Sequence, residues 1–283
     1  MIKIIATIPQ LRAQISEWRN HKQRIALVPT MGNLHSGHLR LVEQAFAVAD
    51  RVVVSIFVNP LQFGVGEDYE TYPRTLEADS HQLEQLGTHL LFTPNVADLY
   101  PTGMEATTYV KVPGLSEILC GASRPVFFNG ITSVVNRLFN IVQPDKALFG
   151  EKDYQQLLII KRMVADLFMP LEIIGVPIVR EADGLAISSR NHYLNTEQRA
   201  LAPRLFQVID HLRIKIESGE RDFARLENQA IQTLAQEGFE PDYVAVRRRH
   251  ALEIPTALDT DLMILAAAYL GTARLIDNMF CKY

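Results

Sequence analysis

Two histidines three positions apart enclose a small residue and a glycine in His35-Ser36-Gly37-His38. They end the run Pro29-Thr30-Met31-Gly32-Asn33-Leu34-His35-Ser36-Gly37-His38. An imidazole can present positive charge to a phosphate, or give up a proton, near neutral pH. If a helix begins near Ser36, the spacing puts both rings on one side of its first turn. Gly37 has no Cβ, so a polyphosphate can come close to the backbone there. The apolar run Ile25-Ala26-Leu27-Val28 before this stretch reads as a buried strand. Leu39, Val42, Ala45, Phe46 and Ala49 after it recur at helical spacing. A strand-to-helix turn in a parallel sheet is where nucleotide phosphates are commonly held. The plain alternative is a pair of surface histidines at a helix start.

Three more clusters could bear chemistry. Phe57-Val58-Asn59-Pro60-Leu61-Gln62-Phe63 follows a continuous apolar run. Asn59 and Gln62 are neutral and can both donate and accept, which suits a substrate with hydroxyl and carboxylate groups. Asn59-Pro60 can equally be a simple turn. In Gly150-Glu151-Lys152-Asp153-Tyr154-Gln155-Gln156, Lys152 can reach a phosphate as a flexible point charge. Asp153 is also a natural helix N-cap, and Gln156 completes a capping-box spacing. Ile187-Ser188-Ser189-Arg190-Asn191 sets two hydroxyls beside a planar guanidinium, a combination suited to phosphate oxygens. An exposed arginine in a helix-entry loop is the alternative.

The elements that must position these clusters alternate. Ile2 to Ala6, Ile25 to Val28, Val52 to Val58, Leu90 to Phe92, Ala147 to Phe149 and Leu171 to Val179 read as strands. Helical stripes run through Leu11, Ile15 and Trp18, then from His38 to about Ala49, then through Leu76, Leu83 and Leu86. Later stripes pass through Ile131, Val134, Val135 and Leu138, and through Leu157, Ile160, Met163 and Val164. The expected fold is α/β, a doubly wound parallel sheet. Ala106 to Val112 reads as an edge strand, and Gly114 to Phe128 as a loop with a short helix. Beyond Val179 two long helical patterns, Thr196 to Glu217 and Asp222 to Glu237, precede three short strand patterns, which predicts a smaller α+β C-terminal domain. The expected division is 1–179 and 180–283, with Arg180 to Ala186 as hinge. Three of the clusters then lie at C-terminal ends of strands, where ligands bind in open parallel sheets. Together they compose a site for a polyphosphate and a small polar acid.

Composition narrows the classes. The chain has 283 residues, 48% of them hydrophobic, and a net charge of −4, so it lacks the basic surface of a nucleic-acid binder. Arg247-Arg248-Arg249 reads as a solvated strand end. Cys120 and Cys281 fit no metal or redox spacing. With no signal-like N-terminus and no apolar run of membrane-spanning length, a cytoplasmic protein without membrane or metal centre is expected.

His35-Ser36-Gly37-His38 resembles the HxGH signature of the nucleotidyltransferase superfamily. The longer strings Val28 to His38, Ser55 to Phe63, Tyr72-Pro73-Arg74-Thr75, Phe149 to Leu157 and Ala182 to Asn191 resemble the pantothenate synthetase (pantoate–β-alanine ligase) family in order, over essentially the whole chain. The resemblance implies an ATP-dependent ligase. It would join pantoate to β-alanine through a pantoyl adenylate, with ATP as co-substrate and Mg2+ assisting, on the way to pantothenate and coenzyme A. By matching position, Met31, Gly32, Asn33, Leu34, His35, Ser36, Gly37 and His38 would line the ATP site. Gly150, Glu151, Lys152, Asp153, Val179, Ile187, Ser188, Ser189 and Arg190 would complete it. His38 would donate a proton, with His35 and Lys152 beside it in catalysis. Gln62, Gln156 and Asn59 would hold pantoate and β-alanine. A homodimer with a Rossmann-like N-terminal domain and a smaller, closing C-terminal lid domain is also implied.

The chain departs from that family at one position. A histidine usually stands before the phenylalanine that follows Arg-Pro, whereas here Arg124-Pro125 leads to Val126-Phe127-Phe128. Phe127 cannot make the polar contacts of a histidine. Competing classes are an enzyme that adenylylates a phosphomonoester, a non-catalytic ATP-binding protein, and an RNA-binding synthetase-like module. The neutral amides of Asn59, Gln62 and Gln156 weigh against the first, because a phosphate acceptor would favour cations there.

Overall fold

The computed structural model describes residues 2–64 and 66–282. Met1, which precedes the strand pattern Ile2 to Ala6, lies outside them. The chain divides into two compact units, Met1–Glu151 with Ile159–Pro177, and Lys152–Leu158 with Ile178–Tyr283.

The first unit is built on β1 (Lys3–Ile5), α1 (Ile8–Asn20), β2 (Ile25–Thr30), α2 (Ser36–Val48), β3 (Arg51–Ile56), α3 (Leu76–Gln85) and β4 (Leu90–Phe92). Then follow α4 (Val96–Leu99), α5 (Cys120–Ser123), α6 (Phe127–Val142), β5 (Lys146–Gly150), α7 (Tyr154–Asp166), which enters this unit at Ile159, and β6 (Glu172–Val176). The strands form a six-stranded sheet in the order β1-β4-β3-β2-β5-β6, and every pairing is parallel. The chain winds outward from β2 through β3, then restarts on the other side at β5. The crevice outside the C-terminal ends of β2 and β5 is therefore the topological switch point, where open sheets of this kind bind ligands.

Alternation along the strands explains the burial. Ala26 and Val28 of β2, Val52 and Val54 of β3, Leu91 of β4 and Leu148 of β5 pack with Leu41, Val42 and Ala45 of α2 in one core. Each fully buried Val or Leu contributes roughly 1.5–3 kcal/mol relative to exposure. The α6 stripe is likewise buried at Ile131, Val134, Val135, Leu138, Ile141 and Val142, and Gln143 in the left-handed region ends that helix.

Residues 106–112 form no strand, contrary to the sequence pattern. Side chains of α6 take their backbone groups instead: Ser133 Oγ accepts from Val110 N at 2.9 Å, and Arg137 Nη2 donates to Thr108 O at 3.0 Å. The expected strands Val52 to Val58 and Leu171 to Val179 are also shorter, ending at Ile56 and Val176.

In the second unit, the pattern Thr196 to Glu217 is two helices, α8 (Thr196–Leu201) and α9 (Arg204–Glu217). Pro203 stands at the break, because it has no N–H to continue the ladder. After α10 (Phe223–Gln236) come β7 (Glu240–Arg248), β8 (Asp261–Leu270) and β9 (Ala273–Lys282), an antiparallel sheet in the order β7-β8-β9. Leu205, Ile209 and Leu212 of α9 and Leu226 and Leu234 of α10 pack against Val246, Ile264 and Leu275. The basic run is charge-paired rather than merely solvated: Arg247 meets Glu227, Arg248 meets Glu253 and Asp259, and Arg249 meets Asp261. Among the described residues no helix is long and apolar enough to cross a membrane.

Candidate active site

The turn after β2 is rigidly built. Gly32 and Asn33 both have positive φ, 81° and 51°. Their amides are held by side chains rather than left open. Thr30 Oγ1 accepts from Gly32 N at 3.2 Å and itself donates to Ser55 O at 2.9 Å. Asp79 of α3 accepts from Asn33 N at 2.9 Å and Leu34 N at 2.8 Å. His35 is the N-cap residue of α2 and makes no side-chain cap bond. The first-turn amides of this 13-residue helix therefore point forward with the positive end of its dipole. The rings of His35 and His38 stack, with centroids 4.0 Å and planes 27° apart. A Cβ on Gly37 would stand 3.0 Å from both Cε1 and Nδ1 of His35. The missing side chain at 37 thus makes room for the stacked pair, as well as baring the backbone.

Beside it, at the end of β3, Asn59 is buried and its amide is fully engaged. Oδ1 accepts from Tyr100 Oη at 2.6 Å and Leu61 N at 3.4 Å, and Nδ2 donates to Gln62 Oε1 and Gly130 O, each at 3.2 Å. Burial pushes the Tyr100 hydroxyl up to about 12, partly offset by Arg137, so it stays a donor to Asn59. Gln62 Nε2 points at Met31 Sδ, 3.0 Å away. A thioether is a weak acceptor, so a carboxylate or hydroxyl can displace it readily. Gly130 lets α6 come this near, since a Cβ there would lie 2.3 Å from Leu61 O.

The departure at position 127 has a structural role. The Arg124 guanidinium lies 3.5 Å from the centroid of the Phe127 ring. Its Nε donates to Glu67 Oε1 at 2.6 Å, its Nη2 pairs with Glu67 Oε2 at 2.5 Å, and Nη2 also reaches Gln62 O at 3.4 Å. Phe127 is a platform for an arginine tied to the Gln62 turn.

In the first unit, Gly150 is the last residue of β5, which pairs with β2, and Glu151 follows it. The remaining candidate residues lie in the second unit. Lys152 Nζ pairs with Asp153 Oδ2 at 3.2 Å, and its carbonyl accepts from Asn278 Nδ2 at 2.9 Å. Gln156 is half-buried in the first turn of α7. Val179 and Ile187 are joined by Ile187 N to Val179 O at 3.0 Å. Ser188 caps the short turn Ser189–Tyr193, accepting from Arg190 N at 3.3 Å. Arg180 clamps the intervening hairpin: it donates to Gly184 O at 3.0 Å and to both oxygens of Asp277, at 2.6 and 2.8 Å. Burial pushes the Asp277 carboxyl up, while Arg180 and Lys152 pull it down.

Sequence reading did not single out Asp79, Tyr100, Arg180 or Asp277. Asp79 carried a signal: it interrupts the stripe Leu76, Leu83, Leu86 with an acid on the buried face. Tyr100 carried none. Among the described residues no three His, Cys, Asp or Glu side chains gather as a metal cage.

With this geometry in view, comparison with known proteins gives one family. The model for pantoate-beta-alanine ligase matches residues 3–280. Pantothenate synthetase from Nitrosococcus oceani is 54% identical over 278 residues, 98% of this chain and 97% of its own. The enzyme of the same name from Pseudomonas putida is 55% identical over 276 residues, 98% and 96% of the two chains. Among solved structures, pantothenate synthetase from Thermus thermophilus superposes with a TM-score of 0.91 at 44% identity, covering 98% of this chain and 99% of its own. Pantoate-beta-alanine ligase from Francisella tularensis, solved with beta-gamma ATP and beta-alanine, superposes at 0.82 with 33% identity, covering 99% and 98%.

Proposed function

The chain belongs to the pantoate–β-alanine ligase family, and from that premise we propose that it makes pantothenate in two ATP-dependent steps. In the first, a carboxylate oxygen of pantoate attacks the α-phosphorus of ATP. The bond to the bridging oxygen breaks, pyrophosphate leaves, and pantoyl adenylate forms. In the second, the neutral amine of β-alanine attacks the acyl carbon. AMP departs, and the nitrogen loses a proton to become the amide.

The observation that carries this reading is the stacked His35–His38 pair at the start of α2. The carboxylate nucleophile is already ionised at neutral pH. The first step therefore needs alignment and stabilisation of phosphate charge rather than a base. Met31, Gly32, Asn33 and Leu34 shape the nucleotide pocket, and the amides of Ser36, Gly37 and His38 with the His35 ring face the phosphates. Two positive charges about 4 Å apart repel by about 4 kcal/mol at an effective dielectric of about 20. A phosphate chain offsets such repulsion, and His38 is proposed to donate a proton toward the leaving pyrophosphate. Gln62 trades Met31 Sδ for a pantoate oxygen, with Asn59 holding its amide in place. Gln156 is proposed to bind pantoate as well. Lys152, Ser188, Ser189 and Arg190 are proposed as donors to phosphate, and Gly150, Glu151, Asp153, Val179 and Ile187 as further nucleotide-binding residues.

Mg2+, as the resemblance implies, would be held mainly by the phosphates of ATP, which need at most one or two protein carboxylates beside them. When bound, it would supply neutralisation of charge on the leaving group. A homodimer, as the resemblance implies, is the proposed assembly, to be checked by light scattering. The chemistry is tested with pantoate labelled by 18O in its carboxylate. One labelled oxygen should appear in AMP. AMP without label, formed together with pantothenate, would overturn the adenylate route.

A further inference from the structure

Resting on that reading of the first unit, we propose that Asp79 is a positioning residue for catalysis, setting the turn from which the two histidines project. The observations are geometric. Asp79 sits in the first turn of α3 and is 1% exposed. One oxygen takes Leu34 N at 2.8 Å, and the other takes Asn33 N at 2.9 Å and Thr75 Oγ1 at 3.1 Å. A single buried carboxylate thus fixes two successive amides from a helix more than 40 residues away in sequence. Of the two residues it fixes, Asn33 needs it: Asn33 occupies the left-handed region beside Gly32, which disfavours an L residue and is held only by surrounding contacts. The fit is close: a Cβ on Gly32 would lie 3.0 Å from Asp79 Oδ2 and 3.1 Å from Ile56 Cγ2.

His35 follows this pinned segment directly and enters α2 as its N-cap. The direction of the His35 ring, and so of the stack with His38, is inherited from the turn. Asp79 faces backbone rather than phosphate and works only through the histidines. A carboxylate suits the task because it accepts on both oxygens. An amide of the same shape turns one acceptor into a donor aimed at an N–H.

The test uses the full-length enzyme with Asp79→Asn, and Gly32→Ala as a second variant whose Cβ would press on Asp79 Oδ2 and displace the same turn. Leu83→Val, buried on the same helix, controls for lost stability. Both turn variants should lower kcat at least tenfold while KM for pantoate stays within about twofold. Leu83→Val should lower the melting temperature and leave kcat unchanged. If either turn variant folds and keeps kcat within twofold, or loses it only in proportion to unfolded protein, the inference is overturned. An unsubstituted enzyme that makes no pantothenate would instead overturn the functional reading.

Discussion

The imidazole rings of His35 and His38 stack face to face with 4.0 Å between centroids, and Gly37 leaves the space that the His35 ring occupies. Stacking holds two chargeable rings in one direction before any phosphate arrives. A Cβ at 37 would press on the His35 ring at 3.0 Å. Alanine is nonetheless the better helix former by about 1 kcal/mol. Gly37→Ala is therefore expected to melt no lower than the parent, yet to turn over at least tenfold more slowly. Thermal melting and steady-state kinetics on one sample check this. Full activity in Gly37→Ala would show that ring placement is not limiting.

The Tyr100–Asn59 bond gives a prediction for the acid substrate. Tyr100→Phe removes the 2.6 Å donor to Asn59 Oδ1, at a cost of about 1–2 kcal/mol for a buried acceptor left short. Asn59 then holds Gln62 less firmly. KM for pantoate should rise several-fold, with KM for ATP nearly constant. An equal rise in both would point to general loosening of the fold.

Phe127 tests whether the family's usual histidine is needed. Its ring supports Arg124, which is tied to Glu67 and to the carbonyl of Gln62. A cation over an aromatic face contributes about 0.5–2 kcal/mol. Phe127→His should change turnover by no more than about threefold. A much higher turnover would show that the phenylalanine costs catalysis.

Stability should depend on pH through His89. Burial chiefly, and Arg51 beside it, hold its imidazole below the ordinary histidine range, and its Nδ1 accepts from Val52 N at 3.1 Å. With the folded value below the unfolded 6.5, the folded state favours the neutral ring. The contribution is fully present above about pH 6.5 and is lost as pH falls through the folded value. Urea unfolding at pH 7.5 and 5.5 should show a larger loss in the parent than in His89→Asn, which keeps an acceptor without the titration. Equal losses would remove His89 as the cause.

What could be read from the chain follows from the range of each interaction. Strands such as Val52-Val53-Val54 and stripes such as Ile131-Val134-Val135-Leu138 are local patterns, so the parallel sheet and the three turns at the ends of β2, β3 and β5 were legible. Residues 106–112 look like a strand because alternation records only that one face is covered. What covers them is Ser133 and Arg137 of α6, a tertiary fact. Thr196 to Glu217 kept its periodicity across Pro203, which hid the break between α8 and α9. The supports of the site were the least legible. Asp79 reaches back to Asn33 and Leu34, Tyr100 to Asn59, and Asp277 to Arg180. Each is a single polar residue whose partner lies tens of positions away.

The central claim is that ATP is cleaved to activate pantoate. It is tested most directly by following AMP release from ATP with and without pantoate and β-alanine. A burst of about one AMP-containing adenylate per site should require pantoate alone, and continuous AMP release should require both substrates. AMP release indifferent to pantoate would contradict it.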